Sequence, residues 1–459
     1  MVFSSLSFLL LFLPVTLILY YILPGRARDF VLFLASLLFY AWGEPLNVLL
    51  MLFSILFNYC CGLLMEKEPR YKKYLLVFAL VINLGMLLFY KYTGFLLENL
   101  GSLLGVDIRF IDPALPVGIS FYTFQALSYV IDLYRGKYPA QRDFLRFGCY
   151  ITMFPQLIAG PIVRYEDIRS DLECRVLSLD RVGRGAERLI FGLAKKVLLA
   201  NPAGALLENL KALPEQTVLS GWLVALCCCF QIYFDFSGYS DMAIGLGEMM
   251  GFRFLENFNY SYLADSVTDF WRRQHISLSV WFREYVYIPL GGNRCSKGRH
   301  ILNIFIVWLL TGFWHGAAWN YLLWGMYFAV LLVLDKYCFS RLKLPRFVRR
   351  IITLALIAVS MVIFAVEDFP LLGRLLRAMF GMGAGVYDGA SLYYLSGSWI
   401  LLLIEAFFCL PLFKRCFDRL AEKALPGKLL AGLIGLAIFA LALVFLVSQS
   451  FNPFLYYRF

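Results

Sequence analysis

Long apolar runs separated by short charged loops dominate the pattern of the chain. A helix needs about 20 residues to cross a membrane, and most of these runs come close to that length. Lipid offers no hydrogen bonds to exposed backbone groups, so spans of this kind are expected to be helical. The pattern therefore predicts an all-α polytopic membrane protein. The apolar runs cover residues 5–23, 29–42, 47–65, 74–90, 115–134, 218–234 and 317–334.

The composition supports this class of protein and excludes others. Hydrophobic residues make up 61% of the chain and charged residues only 16%, whereas a soluble globular protein carries about 25% charged residues. The net charge is +11, but no basic patch is interleaved with aromatic residues, so we predict no nucleic-acid partner. The N-terminal apolar run lacks a basic flank and a cleavage site, and we expect it to be retained as a membrane helix.

The distribution of Lys and Arg predicts one orientation in the membrane. The loops that follow the first, third and fifth apolar runs are basic, as are residues 341–350 and 414–428. Excess Lys and Arg mark cytoplasmic loops. All of these loops are cytoplasmic if the N-terminus lies outside, and the C-terminus then lies outside as well. We therefore expect a multi-pass protein in contact with membrane lipid, with both termini outside.

Two regions do not look like plain spans. Residues 144–163 contain the stretch FPQLIAGP, whose prolines and glycine predict a broken or re-entrant element. Residues 164–196 carry dense charges of both signs and are expected to form a cytoplasmic amphipathic helix or an inert linker. No periodic repeat or low-complexity tract is present, so we predict a single membrane domain over residues 1–459.

Only three histidines occur in the chain, and His315 lies where two apolar arms meet in the sequence TGFWHG. The first arm, residues 301–313, is too short to cross a membrane, but as a helix it would carry the chain roughly 20 Å from its basic flank. An ionisable group at that depth is by default a functional-site hypothesis. The alternative is a histidine that only hydrogen-bonds a neighbouring helix. Gly312 and Gly316 are expected to leave room for substrates beside His315.

Of the other two histidines, His275 lies, like His315, in aromatic surroundings that we expect to be embedded in the membrane. His275 falls in residues 269–285, which we expect to form one amphipathic helix at the cytoplasmic boundary. At 3.6 residues per turn, Trp271 and His275 share a face of that helix. His300 lies in the basic sequence CSKGRH and is expected to be a solvated loop residue.

The span 218–234 is expected to end at the sequence DFSGYSD. Its two carboxylates, Asp235 and Asp241, are of the type used in acid–base chemistry. We prefer the alternative that they cap helices at the membrane interface or contact the ligands of a cation. No G-x-S-x-G elbow, P-loop, Rossmann glycine pattern or H-E-x-x-H is present, and the eleven cysteines form no C-x-x-C pair. We therefore predict no metal site. A neutral imidazole can take a proton from a hydroxyl and return it, which suits attack on a reactive acyl thioester.

Three motifs, in order, resemble those of the membrane-bound O-acyltransferase family: FDFSGYSDMAIGLGEMMGF, DFWRRQHISLSVWFREYVYIPLGGNR and TGFWHGAAWNYLLWG. The chain is most similar to the bacterial branch typified by the integral-membrane subunit of alginate O-acetylation, which MVFSS, PQLIAGPIVRY and SFNPFLYYRF also resemble. The resemblance implies a ring of tilted transmembrane and re-entrant helices around a thin central catalytic region, with funnels on both sides. It also implies the bacterial cytoplasmic (inner) membrane.

The resemblance further implies roles for individual residues. His315 matches the histidine taken as catalytic in the family. His275 falls where the family carries a second polar residue, histidine in this branch, on the cytoplasmic-side helix, and it is the second catalytic candidate. No bound cofactor is implied, and the donor substrate is expected to be acetyl-CoA or another acyl thioester. Candidates for binding substrate or lining its tunnel are Trp314, Asn320, Asp235, Asp241, Trp271, Arg272 and Gln156.

The implied activity is O-acylation of a polysaccharide, as in alginate biosynthesis. A small acyl group, expected to be acetyl, moves from a cytoplasmic thioester toward hydroxyls of an extracytoplasmic polysaccharide. The loops predicted outside are short, so we expect an extracytoplasmic acetyltransferase or another acyl-carrying partner protein. D-alanyl transfer to teichoic acid is one alternative, although that branch lacks the PLGGNR turn. A proton-coupled transporter is another, although it would favour inverted repeats with paired broken helices, which the sequence lacks.

Overall fold

The computed structural model describes residues 1–108, 110, 113–158, 160–422 and 425–448. The expected external C-terminus, the SFNPFLYYRF sequence and Ala159 lie outside the described residues. All regular secondary structure within those residues is helical. Eight helices there are long and apolar enough to cross a membrane, which confirms an all-α polytopic membrane protein. They are Asn47–Lys67, Pro69–Leu104, Leu179–Lys211, Val218–Met249, Trp319–Arg341, Arg346–Ala365, Gly389–Phe408 and Leu425–Ser448.

The described chain forms two compact units. The first comprises Met1–Leu189 and Met242–Leu255, and the second comprises Ile190–Asp241 and the chain from Glu256 onward. Eight helices lie wholly in the first unit: α1 (Leu13–Ile22), α2 (Gly25–Ala41), α3 (Asn47–Lys67), α4 (Lys72–Leu104), α5 (Ile119–Tyr134), α6 (Phe144–Thr152), α7 (Phe154–Leu157) and α8 (Tyr165–Glu173). The single domain over 1–459 stays a prediction.

The remaining helices follow in chain order, and two of them, α9 and α11, contribute to both units. They are α9 (Leu179–Ala194), α10 (Asn201–Lys211), α11 (Val218–Met249), α12 (Val267–Arg273), α13 (Ile276–Phe282), α14 (Lys297–His315), α15 (Trp319–Tyr337), α16 (Arg346–Ala365), α17 (Phe369–Met379), α18 (Gly389–Phe408), α19 (Leu412–Ala421) and α20 (Leu425–Ser448).

The first unit contains the broken element that the sequence predicts. Helix α6 ends at Thr152, Met153 leaves helical geometry with ψ 108°, and Pro155 lies in the first turn of the four-residue helix α7. Proline lacks an N–H and fits the first turn, where no intrahelical partner would be present. In the same unit, a buried pair of amides joins α3 to α4. Asn58 Nδ2 donates a hydrogen bond to Asn83 Oδ1 at 3.0 Å, and Asn83 Nδ2 donates one to Asn58 Oδ1 at 2.8 Å.

Two expected boundaries are wrong because helices continue through polar residues. Helix α11 does not end before Asp235 but runs on to Met249. Residues 164–196 do not form one separate helix, because they contain α8 and α9 and because α9 passes through the π-helical segment Lys195–Ala200 directly into α10. The combined helix Leu179–Lys211 is apolar enough to span a membrane. Charged residues are tolerated in such a helix when other parts of the protein pair them.

In the second unit, α14 and α15 form a tightly packed helical hairpin. A Cβ atom on Gly312 would lie 2.4 Å from Tyr321 O, and one on Gly325 would lie 2.4 Å from Trp308 O. Small residues of this kind let two helix backbones approach closely in a membrane. The expectation that glycine leaves open space beside His315 is wrong, since the Tyr321 ring fills the position where a Gly316 side chain would lie.

Candidate active site

His315 is the last residue of α14, about 27 Å along the helix axis from Lys297 at its start. Its imidazole is enclosed by aromatic rings and is only 4% exposed. The centroid of the ring lies 5.0 Å from Trp314, 5.1 Å from Trp324 and 5.2 Å from Phe364. All three rings stand nearly perpendicular to the imidazole. His315 therefore lies in an enclosed aromatic pocket at the point where α14 stops.

His275 is not part of a continuous helix, so the expected single amphipathic helix over 269–285 is wrong. Helix α12 ends before it and α13 begins after it, and His275 adopts the left-handed conformation with φ 46° and ψ 55°. Among the described residues, His275 and Tyr260 are the two non-glycine residues with positive φ. Such a conformation costs about 1–3 kcal/mol and persists where surrounding structure enforces it, often at functional sites.

The break brings the two histidines together. Their ring centroids lie 6.4 Å apart, and the His275 ring also lies 4.5 Å from Phe236 and 6.0 Å from Trp314. His275 is buried, with 3% of its surface exposed. This burial lowers the pKa of His275 to about 3, because desolvation disfavours the charged imidazolium. The pair of catalytic candidates from the sequence is therefore one buried site, and His275 is neutral in it at physiological pH.

A polar network on one side of His275 fixes the turn. Asn257 Oδ1 accepts hydrogen bonds from the Ser277 backbone N–H at 3.1 Å and the Ser277 hydroxyl at 2.9 Å, and it lies 3.3 Å from His275 Nδ1. Asn257 Nδ2 donates to Ser240 Oγ at 3.1 Å. Because Phe236 and Ser240 are four residues apart on α11, one face of that helix supplies both contacts.

A cavity of about 740 Å³ adjoins this site within the second unit. Its interior is largely apolar and aromatic, and it reaches Thr311, which lies one helical turn before His315 on α14. Trp271 and Trp308 line it, with ring centroids 4.6 Å apart. Trp271 also lies 5.6 Å from Trp324, whose ring lies 5.1 Å from that of His315. The cavity thus extends toward His315 and is separated from it by tryptophan rings.

Charged residues gather at other parts of the cavity wall. Four exposed basic side chains line it: Arg272, Arg283, Lys336 and Arg349. Two carboxylates, Asp265 and Asp335, lie among them. Basic residues outnumber acidic ones here, so the cavity favours a ligand that carries negative charge at one end and an apolar portion at the other.

His300 also lines the cavity, and the expectation of a solvated loop residue is wrong. It lies in the first turns of α14 and is 3% exposed. Its Nε2 accepts hydrogen bonds from the Tyr287 hydroxyl at 2.8 Å and from Lys336 Nζ at 3.2 Å, while Nδ1 bonds the Tyr337 hydroxyl at 2.6 Å. Burial lowers the pKa of His300, and the Lys336 ammonium adds to the effect.

The two carboxylates of the DFSGYSD sequence pair with adjacent lysines. Asp235 Oδ1 lies 2.7 Å from Lys196 Nζ, and Asp241 Oδ2 lies 2.6 Å from Lys195 Nζ. The Asp235–Lys196 pair is nearly fully buried. Both lysines belong to the π-helical segment that joins α9 to α10, a type of distortion frequent at functional sites. The structure therefore places these carboxylates in ion pairs that join α11 to this segment.

The remaining candidates fall into three places. Trp271 and Arg272 line the cavity. Asn320 is buried at the start of α15, where its Nδ2 donates to Phe364 O at 2.9 Å and so holds the residue whose ring faces His315. Gln156 lies in the first unit, where its Nε2 donates to Tyr150 O at 2.6 Å. Among the residues that the structure describes, no group of three or more His, Cys, Asp or Glu side chains is placed to hold a metal ion.

Several residues of the site carry no signal in the sequence. Asn257 lies 18 positions before His275 in a non-helical stretch, and neither a period nor a motif links the two. Trp308, Trp324 and Phe364 are apolar residues within apolar helices, where sequence alone does not show which face meets the histidine. Only the packing of α14, α15 and α16 places Trp324 and Phe364 around one imidazole and Trp308 at the wall of the cavity.

An all-helical polytopic protein with a buried histidine pair beside a large cavity has the architecture of a membrane-embedded enzyme. Residues 32–366 match the family described as MBOAT, membrane-bound O-acyltransferase family. The chain therefore belongs to the membrane-bound O-acyltransferase family and is an O-acyltransferase.

Relatives with described activities agree with this family. The chain is 38% identical to the probable alginate O-acetylase AlgI of Pseudomonas putida over 487 residues, covering 100% of both proteins. It is 33% identical to the peptidoglycan O-acetyltransferase of Helicobacter pylori, covering 86% of this chain and 82% of that protein. It is also 30% identical to the teichoic acid D-alanyltransferase of Bacillus subtilis, but over 47% of this chain and 58% of that protein.

Proposed function

We propose that this protein moves an acetyl group from a cytoplasmic acyl thioester, such as acetyl-CoA, toward hydroxyls of an extracytoplasmic polysaccharide. The observation that carries the proposal is the cavity, whose wall combines exposed basic residues with an apolar interior that reaches one turn from His315. A thioester donor with an anionic carrier group has the same division into charged and apolar parts. A volume of about 740 Å³ lies within the range of about 300–1,000 Å³ typical of small-molecule sites.

In the proposed reaction, His315 acts as the general base. The acceptor hydroxyl oxygen attacks the thioester carbonyl carbon while the His315 imidazole takes the hydroxyl proton. The tetrahedral intermediate collapses as the C–S bond breaks, and the thiolate takes the proton back from the imidazolium. The products are an ester and a thiol, so protons and electrons balance with no additional reagent. The thioester supplies the driving force, and His315 lowers the barrier by moving one proton.

Acetyl transfer is favoured over D-alanyl transfer by the extent of the similarities. The relatives named for O-acetylation match 86–100% of the chain, whereas the relative named for teichoic acid D-alanylation matches 47%. Family membership favours a transferase over a proton-coupled transporter. Partner binding rests on the sequence, since the loops predicted outside are short and carry no glycan-binding domain. We therefore propose an extracytoplasmic acetyltransferase as the protein that receives the acyl group.

The proposed orientation follows the distribution of charge. The cavity is lined by Arg349, which belongs to the basic stretch 341–350, and such stretches favour the cytoplasmic side. The donor would then enter from the cytoplasm of a bacterial cell with both termini outside. Cysteine accessibility labelling in intact cells tests this: a cysteine introduced in 341–350 should be protected from an impermeant reagent. Labelling of that position from outside would overturn the orientation.

The catalytic assignment is tested by His315→Gln and His315→Ala. Inverted membrane vesicles that contain the protein and its proposed acceptor partner receive acetyl-CoA with a labelled acetyl group, and label transferred to partner or polysaccharide is measured. General-base catalysis contributes about 10²–10⁴ in rate, so both variants should lose roughly that factor. Gln retains some hydrogen bonding but cannot take up a proton. Activity of His315→Gln within a few-fold of the parent would exclude His315 as the base.

A loss of rate has this meaning only if the variants fold. Their thermal melting and detergent elution should match those of the parent, because the rings around His315 are unchanged. A cytoplasmic-side mutation that only prevents donor entry would raise KM for acetyl-CoA, whereas loss of the base should lower kcat. Failure of the parent itself to transfer acetyl from any thioester tested would overturn the proposed function.

A further inference from the structure

Asn257 determines which nitrogen of His275 carries the proton. A backbone N–H can only donate, so the bond from Ser277 N to Asn257 Oδ1 at 3.1 Å identifies that atom as the carbonyl oxygen of the amide. The opposite bond agrees, since Asn257 Nδ2 lies 3.1 Å from Ser240 Oγ, which can accept. The Ser277 N–H thus fixes the orientation of the Asn257 amide, and the Ser240 contact is compatible with it.

The orientation of Asn257 then fixes the tautomer of His275. Oδ1 lies 3.3 Å from His275 Nδ1, and a carbonyl oxygen can only accept, so Nδ1 carries the hydrogen. A neutral imidazole has one N–H, which leaves a lone pair on Nε2. This atom is buried and has no hydrogen-bond partner among the residues that the structure describes. Buried polar atoms are seldom left without a partner, and the exceptions are explained by a catalytic role or by a bound water or ion.

The surroundings of the ring limit what that partner can be. Phe236 and Phe258 lie near the His275 imidazole, at centroid distances of 4.5 and 6.4 Å. Trp314 and His315 lie at 6.0 and 6.4 Å, and His315 is the titratable side chain that faces the ring in these contacts. A lone pair can only accept, so the missing partner is a hydrogen-bond donor that binds beside His315.

We propose that Asn257 is a positioning residue that holds His275 in its Nδ1–H tautomer, so that the Nε2 lone pair accepts a hydrogen bond from an N–H group of the bound acyl donor. This inference rests on the proposed function, because the ligand is the thioester donor of that reaction. It also divides the work of the two histidines. His315 takes up a proton, whereas His275, neutral at physiological pH, accepts a hydrogen bond and orients the donor.

A structural role for Asn257 makes a different prediction. Its backbone oxygen also accepts from Ile276 N at 3.0 Å, so the residue helps to hold the strained turn whatever its side chain does. If that were its whole contribution, substitution would lower stability and leave both the tautomer and the pH dependence of activity unchanged. The test therefore needs a readout that is specific to His275.

The first readout is the tautomer itself. The chain has only three histidines, so protein labelled with ¹⁵N-histidine gives three imidazole patterns by NMR, and His275→Gln identifies the one to follow. In the parent, Nδ1 of His275 should give the signal of a protonated nitrogen and Nε2 that of an unprotonated one. In Asn257→Leu, both tautomers should be populated. A protonated Nε2 in the parent overturns the inference, and this result does not depend on any transferase activity.

The second readout is the pH dependence of the variant Asn257→Asp. The carboxylate still accepts from Ser277 but places a negative charge next to His275 Nδ1, and a charge within about 4–6 Å raises the pKa of a histidine by about 1–3. From about 3, the pKa of His275 would rise to about 4–6. Protonation removes the Nε2 lone pair, so kcat/KM for the donor should fall below about pH 6 in the variant and recover at higher pH.

A matched control separates this effect from damage to the fold. Asn58 forms a buried amide pair with Asn83 in the first unit, and Asn58→Asp places a carboxylate in a comparably buried position. It should lower stability without adding an acidic limb to the pH profile. The same pH profile in Asn257→Asp as in the parent would overturn the positioning role. If His315→Gln lost activity while His275 kept its Nδ1–H tautomer, the loss would support His315 as the base. The tautomer would independently support the positioning role of Asn257.

Discussion

The close crossing of α14 and α15 makes a quantitative prediction for Gly312→Ala. The added Cβ would lie 2.4 Å from Tyr321 O and 3.3 Å from Gly325 Cα. Both are backbone atoms, so no side-chain rotation relieves the clash. Ordinary contact begins at 3.4 Å, and the two helices must therefore separate by about 1 Å at this point. His315 lies three residues further along α14 and would move with it.

The expected effect on stability is moderate, and the expected effect on rate is large. Overpacking costs about 1–3 kcal/mol, while alanine gains up to about 1 kcal/mol over glycine as a helix former. The net loss should be about 1–2 kcal/mol, which lowers the melting temperature without preventing folding. A displacement of about 1 Å near reacting groups can cost about 10² in rate. We therefore expect kcat to fall by one to two orders of magnitude.

The same helix provides the control. A Cβ on Gly298 would meet nothing within 4 Å, so Gly298→Ala should match or slightly exceed the parent in melting temperature. Both variants are purified in detergent, and acetyl transfer is measured with the acceptor partner at saturating donor. If Gly312→Ala melts and turns over like Gly298→Ala, the hairpin tolerates the added methyl group. The backbone contact would then not be what places His315.

Two further predictions concern buried polar residues. His275→Ala should raise KM for the donor and slow turnover without abolishing it, as measured by steady-state kinetics of acetyl transfer. If the variant folds normally but loses activity as completely as His315→Ala, the two histidines act as one unit. Asp235→Ala removes the carboxylate that lies 2.7 Å from the buried Lys196 ammonium. The free energy of unfolding should fall by about 3–5 kcal/mol, which a melting curve measures. A melting temperature like that of the parent would show that the ion pair contributes little to stability.

The class of fold follows from the sequence because its signal is local. A bilayer imposes length and hydrophobicity on each span, so runs such as 47–65 and 317–334 predict helices at the positions where α3 and α15 are found. The prolines and glycine of FPQLIAGP likewise act on their own backbone, and the predicted break is present between α6 and α7. Features of this kind need no knowledge of neighbouring helices.

The geometry of the site could not be predicted because it depends on contacts between distant residues. Nothing in QHISLS requires His275 to leave helical geometry, and the turn is held by Asn257, which lies outside the motif. The sequence CSKGRH is polar, yet His300 is buried because Tyr287 and Tyr337 bond both ring nitrogens. Tertiary hydrogen bonds overrode local preference in both cases, and sequence periodicity does not report them.

Both histidines of the candidate active site, His275 and His315, lie where a helix stops, and this arrangement has a physical consequence. A helix end leaves carbonyl groups without intrahelical partners, and such backbone is tolerated at membrane depth only where protein surrounds it. Around His315 that enclosure is made by Trp314, Trp324 and Phe364. The same rings exclude water from the imidazole that would activate the acceptor. In the proposed reaction, a thioester brought to His315 would therefore meet a hydroxyl of the acceptor in preference to water, and transfer would be favoured over hydrolysis.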